Sequence, residues 1–328
     1  MAGRALRREE IRAKITWPQS LPANRQGARR ICFRLIRTGV CVRKENQHLP
    51  EIRFEKIGLQ KLRVAIWRSQ GEGEKRPLLF FNGIGANLEI AQPLGELLRD
   101  RDVITFDLPG IGGSPRPLAP YRPWWVAHAA RQILKRNGYD KVDVMGVSWG
   151  GGMAQQFACQ YKKHVGRLVL AATSPGVIMV PGELAALSKM AHPMRYVSQE
   201  YLVKHFETLY GDEQSGADMF AEHMKPPSLR GYLAQLSAMA GWTALPFLPF
   251  LPHQTLILAG DKDKIVPLAN AKILKFMIAK SQLHVVEGGG HLFLLSRAEE
   301  ILKIMTAFLD EPGEADLEIS DAALQPAG

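Results

Sequence analysis

The sequence predicts an α/β fold: a mostly parallel central sheet with helices on both faces and a helical cap inserted into it. Three observations predict this. Short β-type runs alternate with helix-length stretches, which implies a sheet covered by helices. Several of the runs, such as PLLFF at 77–81, are continuously apolar, as expected of strands buried on both faces. The alternation then breaks between Ala172 and Thr255, where helical stretches stand without a buried strand and Pro226, Pro227, Pro246, Pro249 and Pro252 punctuate the chain.

In chain order, residues 51–57 and 61–67 read as a hairpin-like pair of strands with a turn near Gly58. Residues 77–81, 102–106 (DVITF), 141–145 (KVDVM), 167–171, 255–258 and 283–286 read as the remaining strands. Helices are expected at 88–98, 124–137, 150–162, 268–278 and 297–309, and in the cap at 181–205 and 218–241. The resulting division is a basic N-terminal extension at 1–48, a core at 49–177 and 250–309, a helical cap at 178–249 and an acidic, disordered tail at 310–328.

Of the 328 residues 46% are hydrophobic, which is enough for a sizeable core. The net charge of +10 is unevenly spread: residues 1–48 hold twelve Lys or Arg against three acidic residues, and residues 310–328 hold six acidic residues and no basic one. The extension reads as a solvated basic arm or as sequence upstream of the native start. A contact with an anionic surface is the functional alternative. Cys32, Cys41 and Cys159 show no metal-ligand spacing, and an odd count argues against a disulfide framework. No apolar run is long enough to span a membrane, and the first residues lack the apolar region of a secretory signal. A cytoplasmic location is expected.

Four motifs carry chemistry. Gly146-Val147-Ser148-Trp149-Gly150 follows a strand and precedes a helix, the context of a nucleophile elbow, which exposes a serine Oγ on a strained turn at a helix N-terminus. Asp261 and Asp263 follow the strand ending at Gly260, where a hydrolase acid belongs, and Asp263 is preferred by its distance past that glycine. His291 lies on the glycine loop 288–290 after the last strand and completes the chain order Ser, Asp, His. Residues 82–87 follow the strand PLLFF, where the fold builds an oxyanion hole. The expected donors are the backbone N–H groups of Trp149 and Ile84, with Gly83 as the alternative to Ile84. The order and placement of these motifs are those of the α/β-hydrolase fold.

The chemistry expected of this set is acyl transfer. His291 takes the Ser148 proton, Ser148 attacks an ester carbonyl, and Asp263 orients the imidazole. No cofactor and no metal are required. Asn82, Trp149 and Trp242 are expected in the substrate pocket, although turn support is the simpler role for Asn82. The cap residues Met179, Met190, Met194, Met219, Met224, Met239, Phe206, Tyr232 and Trp242 suit an apolar substrate, though most are expected to be ordinary cap core.

The strings FFNGIGANLE (80–89), GVSWGGG (146–152), AQQFA (154–158), RLVLAATSPG (167–176) and LILAGDKDKIVPL (256–268) resemble the intracellular medium-chain-length poly(3-hydroxyalkanoate) depolymerases. The cap strings MVPG (179–182), RYV (195–197), LYG (209–211) and GYLAQLSAMAGWT (231–243) extend the resemblance beyond the fold. It implies hydrolysis of an aliphatic polyester at the surface of cytoplasmic storage granules, with Ser148, Asp263 and His291 as the triad. Neither the basic extension nor the acidic tail is part of the resemblance. Two alternatives stand beside it: a general carboxylesterase or lipase on small acyl esters, and a granule- or membrane-surface binding protein with secondary hydrolase activity. No nucleic-acid partner is expected, and the oligomeric state is open.

Overall fold

The computed structural model describes residues 48–71, 75–191, 199–205, 210, 225 and 227–312. Eight strands form one sheet: β1 (Glu51–Ile57), β2 (Gln60–Trp67), β3 (Leu78–Phe81), β4 (Val103–Phe106), β5 (Val142–Val147), β6 (Val165–Ala171), β7 (Thr255–Gly260) and β8 (Ser281–Val286). Their spatial order is β1-β2-β4-β3-β5-β6-β7-β8. β1 pairs antiparallel with β2, and β2 antiparallel with β4; every later pairing is parallel. The hairpin turns at Gly58, whose φ of +60° lies in the left-handed region that glycine enters freely.

The parallel strands are buried because helices cover both faces. β3, β4 and β7 have no exposed residue at all. On one face, α2 (Pro123–Arg136), α3 (Trp149–Gln160) and α7 (Leu268–Met277) pack over Val144, Leu168 and Ile257. On the other, α1 (Gln92–Leu97), α8 (Phe293–Ser296) and α9 (Ala298–Asp310) pack over Leu78, Met145 and Leu256.

The interruption between β6 and β7 holds α4 (Leu184–Ala191), α5 (Gln199–Lys204) and α6 (Leu229–Met239). Its two ends meet in a narrow neck, where Val177 N–H donates to Trp242 O (2.9 Å) and Ala244 N–H to Pro175 O (2.8 Å). The insertion therefore closes near residue 244, and Leu248, expected at the cap's end, is instead buried in the core. Cap residues Met194, Met219, Met224 and Phe206 lie outside the described residues, as do residues 1–47 of the basic extension and 313–328 of the acidic tail.

Both ends of the core reach slightly further than expected. His48 is buried and its carbonyl accepts from Gln92 Nε2 at 3.1 Å. Asp310, expected in the tail, ends α9 and pairs with Lys75 (2.6 Å) and with the buried Arg101. Glu311 pairs with Arg167 at 3.1 Å. α9 is thereby tied to the edge of the sheet where β3 and β4 begin.

Candidate active site

β5 delivers Ser148 at the sheet's carboxyl edge, and α3 begins at the next residue. Ser148 has φ 54° and ψ −121°, a conformation that costs a non-glycine residue on the order of 1–3 kcal/mol. The turn is held by Ser148 N–H donating to Ala171 O (2.9 Å) and Thr173 Oγ1 donating to Ser148 O (2.7 Å). It is possible only because two neighbours lack a side chain. A Cβ at Gly146 would lie 2.2 Å from Gly150 O, and one at Gly150 would lie 2.1 Å from Phe81 O.

The loop after β8 brings His291 to this serine, with Nε2 3.0 Å from Ser148 Oγ. The loop after β7 brings Asp263 to the other side of the ring, with Oδ2 2.7 Å from Nδ1. Both partners are buried. Asp263 is itself fixed, because its Oδ1 accepts from Ile265 N–H (2.9 Å) and Val266 N–H (2.8 Å). With Nδ1–H donated to a carboxylate, Nε2 is the acceptor for the serine proton. His291 is also held from the cap: its N–H donates to Tyr210 O (2.5 Å) and the two rings stack. Asp261, the alternative acid, is exposed and sits 3.8 Å from Lys262 Nζ, outside this arrangement.

The expected oxyanion segments meet at the same place. Trp149 opens α3, so its N–H is one of the helix donors that have no intrahelical acceptor. On the loop after β3, a Cβ at Gly83 would stand 3.8 Å from Ser148 Cβ, and Gly83 and Ile84 line the cavity beside the serine. Asn82 lines it too, and its Nδ2 donates to Asn87 O (3.2 Å), the turn support expected of it.

Two pocket expectations are corrected. Neither Trp149 nor Trp242 lines the cavity that holds Ser148. The Trp149 indole turns toward the cap, where Nε1 donates to Gln235 O at 3.1 Å. Trp242 packs behind α3, and its Nε1 donates to Gln156 Oε1 at 2.8 Å. In both cases a half-buried indole N–H needs an acceptor, and the acceptor available lies away from Ser148.

Three functional features escaped the sequence. Gln235, on α6, is 1% exposed and its Oε1 accepts from Gly85 N–H at 2.8 Å. One cap residue therefore holds both segments expected to form the oxyanion hole, the loop through its side chain and the Trp149 indole through its main chain. Asp107 braces the same loop: Oδ1 accepts from Leu88 N–H (2.7 Å) and Oδ2 from Gly113 N–H (2.8 Å). Burial pushes its carboxyl up to about 6, against these bonds and the nearby Arg63 guanidinium. Glu89 links core to cap through Lys225 (2.6 Å). Burial pushes its carboxyl up, but the Lys225 and Asn87 hydrogen bonds outweigh that and hold it at about 2. Cys159 is a partly buried free thiol, pushed up to about 11 by burial, and stands apart from the site.

A family model of the α/β hydrolase fold matches residues 76–298. The chain belongs to the α/β hydrolase fold family. Within that family this hydrolase is 42% identical over 257 residues to a poly(3-hydroxyalkanoate) depolymerase of Ectopseudomonas oleovorans, an alignment covering 77% of this chain and 90% of the relative. It is 31% identical over 263 residues to a 2-hydroxymuconate semialdehyde hydrolase of a Pseudomonas species, covering 73% and 88% of the two chains. Among solved structures, an esterase from Exiguobacterium antarcticum superposes with a TM-score of 0.68 at 22% identity, covering 79% of this hydrolase and 99% of the esterase. Among the described residues no helix is long and apolar enough to cross a membrane.

Proposed function

We propose that this chain hydrolyses ester bonds of medium-chain-length poly(3-hydroxyalkanoate) through an acyl-enzyme on Ser148. The observation that carries the reading is the continuous line from Asp263 Oδ2 through the His291 ring to Ser148 Oγ, with spacings of 2.7 and 3.0 Å, at the mouth of an apolar cavity. Ser148 attacks the carbonyl as His291 accepts its proton. The N–H groups of Trp149 and Ile84 receive the oxyanion, and His291 returns the proton to the leaving alcohol. Water, activated by the same imidazole, then releases the 3-hydroxyacid. Asp263 keeps the ring in the tautomer that can accept.

The polymer as substrate is supported by the 42% identical depolymerase and by the cap's surface. Ile178, Leu184, Leu229 and Leu233 are all more than half exposed there, which suits contact with an apolar solid such as a storage granule in the cytoplasm. Incubation of the purified chain with medium-chain polyester granules tests the proposal. Release of 3-hydroxyacids, absent in Ser148→Ala, is expected; release no greater than in that variant refutes it. A second reading, hydrolysis of a small oxo acid, is favoured by the 31% identity to the semialdehyde hydrolase. It ranks lower because no Lys or Arg among the described residues lines the cavity to hold such an acid. Turnover of 2-hydroxymuconate semialdehyde faster than of any ester would reverse the order.

A further inference from the structure

The cavity beside Ser148 extends well past the reacting atoms. It has a volume of about 130 Å³ and runs between α1 and α9, in the helix layer over β3 and β5. Among the described residues its polar side chains are Asn82, Ser148, Tyr210 and His291. The first, second and fourth stand on loops at the sheet's carboxyl edge and Tyr210 belongs to the cap, so all four lie at the mouth. Beyond them the described walls are apolar: aliphatic or thioether from Leu94, Met145, Ile301, Leu302 and Met305, and aromatic from Phe80 beside Met145.

Two independent measures give its depth. On β5, Met145 and Val147 share one face, and Met145 lies three residues below Ser148, about 10 Å at ~3.3 Å per residue. On α9, which descends from the His291 loop toward Asp310 at the opposite edge, the wall runs from Ala298 to Met305, again about 10 Å at 1.5 Å per residue.

We propose that this cleft is an alkyl subsite, which takes the unbranched side chain of the acyl unit and leaves the polymer main chain on the cap side. The proposal rests on the reading of Ser148 as an ester-cleaving nucleophile. A polyester main chain carries a carbonyl in every repeat, and burying one without a donor is unfavourable. The pendant alkyl group carries none, and methylenes gain from burial. A zigzag carbon chain with ~1.5 Å bonds advances about 1.25 Å per carbon, so roughly eight carbons fill 10 Å. In a simple straight-chain ester, the acyl tail occupies the same space.

The test uses the full chain and 4-nitrophenyl esters from acetyl to dodecanoyl. kcat/KM is expected to rise up to roughly fourfold per methylene and to level off near octanoyl. Ala298→Phe narrows the cleft and should lower the octanoyl-to-acetyl ratio at least tenfold. Met305→Ala opens its floor and should move the plateau to longer chains. A mapping measurement needs no variant: an octyl phosphonate that reacts with Ser148 and carries a photoreactive group at the chain end should crosslink to residues 94–97 or 301–305. Crosslinks confined to the cap, a wild-type profile that falls with chain length, or an octanoyl-to-acetyl ratio unmoved by both substitutions overturns the subsite while leaving Ser148 as nucleophile. Esterolysis that persists in Ser148→Ala overturns the nucleophile reading and the subsite with it.

Discussion

Gln235→Leu should slow the reaction without unfolding the protein. Leucine is close to glutamine in size, so the α6 packing survives. What is lost is the side-chain acceptor held against Gly85 N–H, a 2.8 Å bond in a buried position. Leaving such a donor unmet costs about 1–3 kcal/mol, equivalent to roughly 5- to 150-fold in an equilibrium. The oxyanion loop escapes that cost by shifting away from α6, which moves Ile84 out of register with Ser148. Complete loss of an oxyanion donor costs about 100- to 1,000-fold in rate, which bounds the effect from above. A fall in kcat of between about tenfold and 100-fold is therefore expected, with KM for a short ester nearly unchanged. The Trp149 indole keeps its acceptor, because that bond uses the Gln235 main chain. Gln235→Glu retains an acceptor oxygen and should recover most of the rate. Steady-state kinetics on 4-nitrophenyl butyrate, with circular dichroism to confirm folding, reads the result. A leucine variant within twofold of wild type, or a glutamate variant as slow as leucine, refutes the coupling of cap to oxyanion loop.

Three further outcomes follow from the same geometry. Asp263→Asn keeps the ring in place but lets Nδ1 become the acceptor, so kcat should fall about 1,000- to 10,000-fold with little change in KM, measured by steady-state kinetics. Gly150→Ala puts a Cβ 2.1 Å from Phe81 O, a backbone atom that cannot step aside, so urea denaturation should show a loss of several kcal/mol or no folded protein. Asp107 is raised to about 6 from the ordinary 3.8, so its contribution to stability is present below about pH 4 and is lost as pH rises through 6. The wild type should therefore lose about 2 kcal/mol relative to Asp107→Asn between pH 4 and pH 7 in urea titrations, and a difference constant across that range would refute the assignment.

The central strands were legible because they are buried on both faces, so that several, such as β3 and β7, read as nearly unbroken apolar runs. Ser148, Asp263 and His291, which the structure brings together, stand out in the sequence because each follows a strand end within three residues of a glycine. The indoles of Trp149 and Trp242 were misplaced for a physical reason: a tryptophan points toward whatever accepts its N–H, and those acceptors, Gln235 O and Gln156 Oε1, are tertiary partners 86 residues away. Gln235 itself lacks any local signature, since its partner Gly85 lies 150 residues earlier in the chain. The neck of the cap was also hidden, because the backbone bonds between 175–177 and 242–244 depend on no particular side chain.

The left-handed backbone at Ser148 has a consequence for how this chain tolerates change. The residue that relaxes there is glycine, which also deletes the proposed nucleophile. Ser148→Gly is thus a substitution in which activity and durability move in opposite directions, and the dead protein should outlast the living one on heating. A screen that selects only for thermal resistance would drift toward silence at residue 148. Any effort to harden this enzyme must carry a turnover assay alongside the melting curve.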